Sequence, residues 1–498
     1  MNVKILFLLT LFSILNPLSY ASFPLQEQFL EKNNLLITNS EKEKKTEKIK
    51  EFVEFKDLKQ LLISNNKDLK IYRDQISQAE AILKSKYSLW YPKVNINSNQ
   101  LPEYSTGRSL NRLSTDTSTN QTTLGIDNTI EWDIINPSRK LDIKIAKSKL
   151  ENAQFFYQEN LERILFESTK RFFSIVALEQ EIVVAQEAIK VAEFYLDEAK
   201  NRFESGLANK IDVLEANIQL KRNKVNLLKK LGDLKTQKNS LAQLLDLSNE
   251  FSISYDKKNL ITGIWIKDYE ESLSKALKNR QDLKILENNI SITSKEALST
   301  LSQKKPNFTL YNTYSYSKSF GESGVASPNK ENDIENTSNN VGIKFSLNLF
   351  DGGLIKENYN SIIFKEEEQK KILQKKRIEI ENSIEEALLK LNISIDQIIY
   401  NYSQLISAKE SFDISLKRLD AGITTQREII NSQRDLIETE SNFINSFSEY
   451  NVNLANLKKI TGEDFIDLCV YKQSPKGIKN EVFVDFLAEN TKINCKKK

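Results

Sequence analysis

The segment RFESGLANKIDVL at residues 202–214 returns as RLDAGITTQREII at residues 418–430, and this return constrains the fold more than any other feature of the chain. Arg202 and Arg418 stand 216 positions apart, as do Gly206 and Gly422. Upstream, Asp68-Leu69-Lys70 recurs as Asp282-Leu283-Lys284 and Pro92 recurs as Pro306, both at an offset of 214, while Gly125 and Gly342 stand 217 apart. Ordered landmarks at nearly one spacing mark a tandem duplication of a unit of about 215 residues. Any fold must therefore be pseudo-symmetric.

Each unit has the same internal order. Residues 55–90 and 268–304 carry helical patterning, closed by Pro92 and Pro306, which lack an amide proton and push the preceding residue toward extended backbone. Strands follow. Leu124, Ile126, Ile130, Trp132 and Ile134 alternate with polar residues, with Asn128 as the one breach. In the second unit Val341, Ile343, Phe345, Leu347 and Leu349 do the same, as do Phe308, Leu310, Tyr314 and Tyr316 one strand earlier, while Val94 and Ile96 mark the first strand. The expected strands are about 93–104, 123–134, 307–317 and 341–350, each pair with one apolar and one polar face. The intervening stretches 106–123 and 317–340, rich in Ser, Thr, Asn and Gly, read as long exposed loops.

Asn136-Pro137 and Asp351-Gly352-Gly353 then restart helix, the first with a capping residue ahead of a proline at the first helical position. Helix continues from Ser138 to about Phe203 and from Leu354 to about Leu419, on the order of 100 Å at 1.5 Å per residue, which exceeds any globular core. Helices this long persist by packing on one another. Ile211, Leu214, Ile218, Val225 and Leu228 follow alternating three- and four-residue steps, with Lys221 breaking the row once, and Phe443, Phe447, Tyr450, Leu454 and Leu457 repeat the rhythm, so each unit reads as an antiparallel coiled-coil pair. Gly206 and Gly422 sit where each long helix must end and turn back in a left-handed conformation. The domain order expected is therefore 1–21 signal peptide, 22–54 linker, 55–262 first repeat with long helices over 138–247, 263–462 second repeat with long helices over 354–461, and 463–498 tail.

The signal peptide rests on Lys4, the apolar run Ile5 to Leu15, and the small residues of Ser19-Tyr20-Ala21 at a cleavage position. That run is too short to span a bilayer of about 30 Å, and no later run of 18 or more apolar residues exists. Lys plus Arg number 71 against 68 Asp plus Glu, interleaved, so no basic field for nucleic acid is present. The 498 residues include no His, which removes the commonest general base and metal ligand together. Cys469 and Cys495, the only cysteines, can pair in an oxidising compartment but are too few for a structural zinc site. With no nucleophile elbow and no phosphate-cradling glycine loop, the chain reads as a non-enzyme that needs no cofactor.

Four strands with an apolar face, attached to helices with little core to spare, suit a membrane. There unpaired backbone groups cost several kcal/mol each, so sheet edges must close, and four strands cannot close a useful barrel. About eight nearly fill with side chains and about twelve leave a lumen, so three chains giving four strands each is the economical closure.

The order helix, strand, loop, strand, long helix, glycine turn, helix, written twice, resembles the TolC-like outer-membrane efflux and secretion channel family. The likeness runs from about residue 55 to 462 and includes ALKNRQDL at 276–283 and SLNLFDGG at 346–353. The resemblance implies an α+β membrane protein: a homotrimer with a 12-stranded β-barrel in the outer-membrane lipid, continued by a coiled-coil tunnel in the periplasm. It implies a periplasmic adaptor (membrane fusion protein) and an inner-membrane pump of ABC, RND or MFS type as partners, in a tripartite efflux pump or a type I secretion system. On the same resemblance, Gly206 with Leu207 and Gly422 with Ile423 are the adaptor-docking tips. Glu428 matches an acidic position just inside the tunnel entrance, Asn431 stands at a second one, and Asp212 is the first-repeat counterpart of Glu428. Thr424 and Leu419 stand where the family can carry a tip-locking arginine and tyrosine, which leaves Lys210 and Arg427 as substitutes. The competing reading is a periplasmic coiled-coil adaptor or scaffold without a conducting barrel; an exported carboxylate-dependent hydrolase ranks behind it.

Overall fold

The computed structural model describes residues 51–109, 117–248, 251–255, 261–265, 267–325 and 333–463. The signal peptide, most of the linker, and Cys469 and Cys495 with their disulfide lie outside the described residues. The first repeat runs β1 (Glu51–Glu54), α1 (Leu58–Asn65), α2 (Lys67–Tyr87), β2 (Lys93–Ser109), β3 (Thr117–Ile135), α3 (Arg139–Glu204), α4 (Lys210–Leu245) and β4 (Phe251–Ser254). The second runs α5 (Tyr269–Asn279), α6 (Gln281–Ser302), β5 (Asn307–Val325), β6 (Ile334–Ser346), α7 (Leu354–Asp420) and α8 (Gln426–Thr461). The last four residues of the expected linker are thus strand β1, which pairs in parallel with β4.

The helical stretch expected over 55–90 is broken at Asn66, and its counterpart over 268–304 at Arg280, 214 positions on. Both residues carry extended ψ angles, 126° and 130°, and both reach across to the end of a long helix. Asn66 accepts from the Leu69 amide through Oδ1 (2.9 Å) and donates through Nδ2 to the Leu244 carbonyl at the end of α4 (2.7 Å). Arg280 donates through Nη1 to the Ile460 carbonyl at the end of α8 (3.2 Å). In each repeat a short helix is thereby stacked on the C-terminus of a long one, and a terminal carbonyl that would otherwise go unpaired is satisfied.

The largest core surrounds this junction in the first repeat: Leu58, Leu62, Leu69, Phe172, Leu241 and Leu245 are buried together, capped by β1 and β4 through Val53 and Phe251. A matching core gathers Ile261, Leu391, Ile398, Phe447, Tyr450 and Leu457 in the second. Phe447, Tyr450, Leu454 and Leu457 therefore form the expected seam of α7 and α8. The expected seam of α3 and α4 does not. That pair closes instead on small residues, Ala192 and Ala199 against Ala216, with Leu196 and Leu220 between them. Ile211, Leu214, Ile218, Val225 and Leu228 are all more than half exposed on the opposite side of α4. Alanines let the two backbones approach closely, so the larger residues are pushed to the far face.

Strands β2, β3, β5 and β6 form one antiparallel sheet in that order, leaving β2 and β6 as open edges. The strands run well into the stretches expected to be loops, to Ser109, from Thr117, to Val325 and from Ile334, while β6 stops at Ser346 rather than near 350. Composition misled here because Thr is a strong strand former and ladder pairing, as in Thr117–Thr123 against Ser319–Val325, satisfies the backbone whatever the side chains. Asn136 also acts differently from expectation: Ser138 precedes the first turn of α3, and Asn136 Oδ1 accepts the Ser138 amide (3.2 Å) in a turn before it. Asp351 does the equivalent work ahead of α7, accepting from the amides of Gly353 (2.9 Å) and Ile355 (3.0 Å).

Candidate functional site

Two surfaces carry the chemistry, the faces of the sheet and the two hairpin tips. Register assigns every sheet residue to a face. Val94 lies opposite Ile130, Trp132 opposite Leu310, Leu310 opposite Ile343, and Phe308 opposite Phe345. One face is consequently largely apolar, interrupted by Asn312 between Ile130 and Val341 and by Asn339 beside Tyr314, and Val94, Ile96, Trp132, Val341, Ile343 and Phe345 are exposed on it. An exposed apolar surface of this extent marks a membrane or partner face. Asn128 sits within it, level with Ile96 and Tyr314. The apolar stretch covers 94–104 on β2, 124–134 on β3 and 308–316 on β5, close to the roughly 9–11 residues that a tilted strand needs to cross a bilayer.

The opposite face presents Lys93, Asp127, Thr129, Glu131, Asp133, Thr309, Thr313, Ser315, Asn340 and Lys344. Lys93 stands directly opposite Glu131, and Thr309 donates to Asp133 Oδ1 (2.7 Å). A strand whose two faces are respectively lipid-like and water-like is the pattern of a barrel with a wet interior.

At the tips the two repeats superpose in detail. Leu207 donates its amide to the Arg202 carbonyl (2.8 Å) and Gly206 to Phe203 (3.0 Å); Ile423 donates to Arg418 (2.9 Å) and Gly422 to Leu419 (2.9 Å). This paired bonding is a Schellman ending, which needs a left-handed residue, and φ is +74° at Gly206 and +71° at Gly422. Leu207 is 80% exposed and Ile423 is 70% exposed, so each tip ends in a bare aliphatic side chain.

The remaining expected residues divide. Asp212 closes a capping box with Asn209, accepting its amide at 3.0 Å, and so is engaged in starting α4. Glu428 holds the same place in α8, but its carboxylate accepts from Arg418 Nη1 (2.7 Å) and from the Thr424 hydroxyl. Asn431 Oδ1 accepts from Arg434 Nη2 (3.2 Å). Leu419 faces no opening: it is buried with Phe412 and Ile429, against Val191 and Tyr195 of α3. It anchors the second hairpin to the first.

Other links between the hairpins were not anticipated. Arg202 Nη2 donates to the Leu419 carbonyl (3.2 Å). Arg427 Nε donates to Glu215 Oε1 (3.1 Å), with a second bond from Nη2. The Ala188 carbonyl accepts from both Asn223 Nδ2 (3.0 Å) and Gln433 Nε2 (3.2 Å). Glu215 was findable, since it stands 216 positions before Asn431 and supplies the carboxylate that the second repeat lacks.

A charged cluster sits where α6 stacks on α8. Burial drives the Glu162 carboxyl up to about 7, against the pull of Arg280. Burial likewise lowers Lys459, whose ammonium lies 4.8 Å from the Phe166 ring centre. Asp282 is pushed up by burial but ends below its ordinary range, because Arg280 and Lys376 outweigh that cost. No group of three or more Cys, Asp or Glu able to hold a metal ion occurs among the described residues.

The outer membrane efflux protein family matches residues 58–246 and 272–463. The chain is 20% identical over 313 residues to the outer membrane protein TolC of Escherichia coli, a match covering 61% of this chain and 62% of that protein's length. Among solved structures, the Campylobacter jejuni CmeC outer membrane channel is similar with a TM-score of 0.66 at 16% identity, over 88% of this chain and 89% of that one. The open state of the Neisseria gonorrhoeae MtrE outer membrane channel is similar with a TM-score of 0.62 at 14% identity, over 84% and 91%.

Proposed function

The chain belongs to the outer membrane efflux protein family, and from that premise we propose that three copies form a conducting channel through the outer membrane, each lending four strands to one barrel and its long helices to one periplasmic tunnel. The observation that supports this best is the sheet itself. It has a largely apolar face, a polar face and two open edges, β2 and β6. In lipid an open edge leaves backbone groups unpaired, and pairing β2 of one copy with β6 of the next removes every edge. Twelve strands give a lumen lined by the polar face, where about eight would fill with side chains.

The tips serve as the docking points for a periplasmic adaptor, which couples the channel to an inner-membrane pump in an efflux or type I secretion assembly. Two bare aliphatic residues per chain, Leu207 and Ile423, held on rigid glycine turns, suit the apolar end of a partner hairpin. Opening requires the second hairpin to leave the first, breaking the Arg202–Leu419 and Arg427–Glu215 links, and a partner that binds the open arrangement more tightly drives it.

The test is conductance. The mature chain, purified in detergent and sized by light scattering, should be trimeric and give discrete conductance steps in planar bilayers. A species that stays soluble without detergent and conducts nothing means a coiled-coil scaffold instead. Loss of adaptor binding in Gly422→Trp, with conductance retained, is the result expected of the docking assignment.

A further inference from the structure

Gly125 and Gly342 are landmarks of the duplication, yet neither makes a turn. Both lie inside strands, on β3 and β6, and neither has a positive φ, so backbone conformation does not call for glycine at either. Space does. A Cβ on Gly342 would stand 2.7 Å from the Tyr311 hydroxyl and 2.9 Å from its Cζ, and a Cβ on Gly125 would stand 2.8 Å from Gln100 Oε1. Glycine inside a strand marks a place where another group comes close to the backbone. Tyr311 is directly opposite Gly342, and Gln100 is directly opposite Gly125. In each strand pair, then, a long side chain of the first strand lies across a glycine of the second.

All four residues lie on the polar face, and by register Tyr311 is the one aromatic residue on that face among the described residues. It stands in the row Lys93, Glu131, Tyr311, Gly342. No hydrogen bond to another described residue holds its hydroxyl, so packing on the glycine is what keeps the ring down. Strand β5 starts at Asn307, the end that follows α6, which puts Tyr311 about 14 Å along the strand from the tunnel end. Gly125 pairs with Ser317, about 20 Å further out along β5.

We propose that Tyr311 sets the bore of the barrel where cargo leaves the tunnel, lying flat on the wall because Gly342 has no side chain, and that Gln100 over Gly125 is the same device further out. The inference rests on the trimeric channel reading, which puts the polar face around the lumen, and adds which side chains cargo meets there. Each chain supplies one of each, so a trimer carries three rings of tyrosine on its wall. A methyl group at either glycine takes the seat, and the displaced side chain has the lumen to turn into. Pore width and lining decide what a channel passes. An aromatic packed on an edge glycine also steadies a sheet, but that role is indifferent to how wide the lumen is.

The experiment measures access past these side chains. In a Cys469→Ser, Cys495→Ser background, Lys344→Cys puts a thiol on the polar face of β6, nearer the tunnel than Gly342. A bulky, charged, membrane-impermeant maleimide is added on the barrel side of a planar bilayer, and the rate of current loss reports its arrival. Gly342→Ala should slow that rate about threefold or more, and Tyr311→Ala added to it should restore the rate. Gly125→Ala, with and without Gln100→Ala, is a second pair read by the same thiol, so that a failure of one variant to assemble does not decide the matter. Unchanged rates in the glycine variants, with channels still conducting, overturn the bore-setting role and leave the channel reading intact. Slowing that persists after Tyr311→Ala or Gln100→Ala overturns it too, because the glycines then do not act through those side chains. No conductance from any chain, the parent included, overturns the channel reading and this inference together.

Discussion

At Gly206 and Gly422 nothing lies within 4 Å of where a Cβ would stand, so a substitution there is opposed by backbone strain alone. A left-handed conformation costs an L-residue about 1–2 kcal/mol. Gly206→Ala and Gly422→Ala should therefore speed hydrogen exchange of the Leu207 and Ile423 amides about tenfold or more, leaving the distant cores unchanged. The Arg427–Glu215 pair is a different case. Arg427 is largely exposed, and a double-mutant cycle on thermal stability should return a coupling of at most about 1 kcal/mol. The pair orients the hairpins more than it stabilises them. At this scale the sequence was partly legible: glycine at a helix end has few other meanings, whereas the burial of Leu419 depends on Val191 and Tyr195, more than 220 positions away. The ion pair that occupies Glu428 was equally hidden, since it depends on how far Arg418 reaches around the turn.

Among the elements, the stacked helix junctions are the most exposed to test. Asn66→Ala removes a cap and a cross-helix bond at once, and should cost about 1–2 kcal/mol in denaturant unfolding. Glu162 gives the junction a pH signature. Its folded value of about 7 lies above the ordinary 4.5, so the folded state holds a proton that the unfolded state has released. Stability contributed by this group is present below about 4.5 and is lost as pH rises through about 7. Glu162→Gln should accordingly raise the midpoint of thermal unfolding at pH 8 and change it little at pH 5; an equal shift at both would contradict the assignment. The long helices and the strands were legible because period carries that information locally. The partner of a helix was not. The heptad on α4 looked like an internal seam, and only the alanines on its other face show that the chain covers that side instead. The strands outran their expected ends for a related reason: beyond the membrane belt both faces are polar, and alternation, the signal that marks a strand, fades while the ladder continues.

For the whole molecule the duplication predicted the architecture, since two similar units each with two strands and a helical hairpin must build a pseudo-symmetric protomer with two tips. What a single chain leaves open at its two sheet edges, β2 and β6, another copy closes in the barrel. The central claim is that the apolar sheet face meets lipid and the polar face encloses water. Neighbouring residues on β3 test it, because Ile126 and Asp127 point to opposite faces. With Cys469 and Cys495 replaced by Ser, Ile126→Cys and Asp127→Cys channels are recorded in planar bilayers while a charged, membrane-impermeant thiol reagent is added. A step in current for Asp127→Cys and none for Ile126→Cys is the predicted result; a response from Ile126→Cys, or silence from Asp127→Cys, would contradict it.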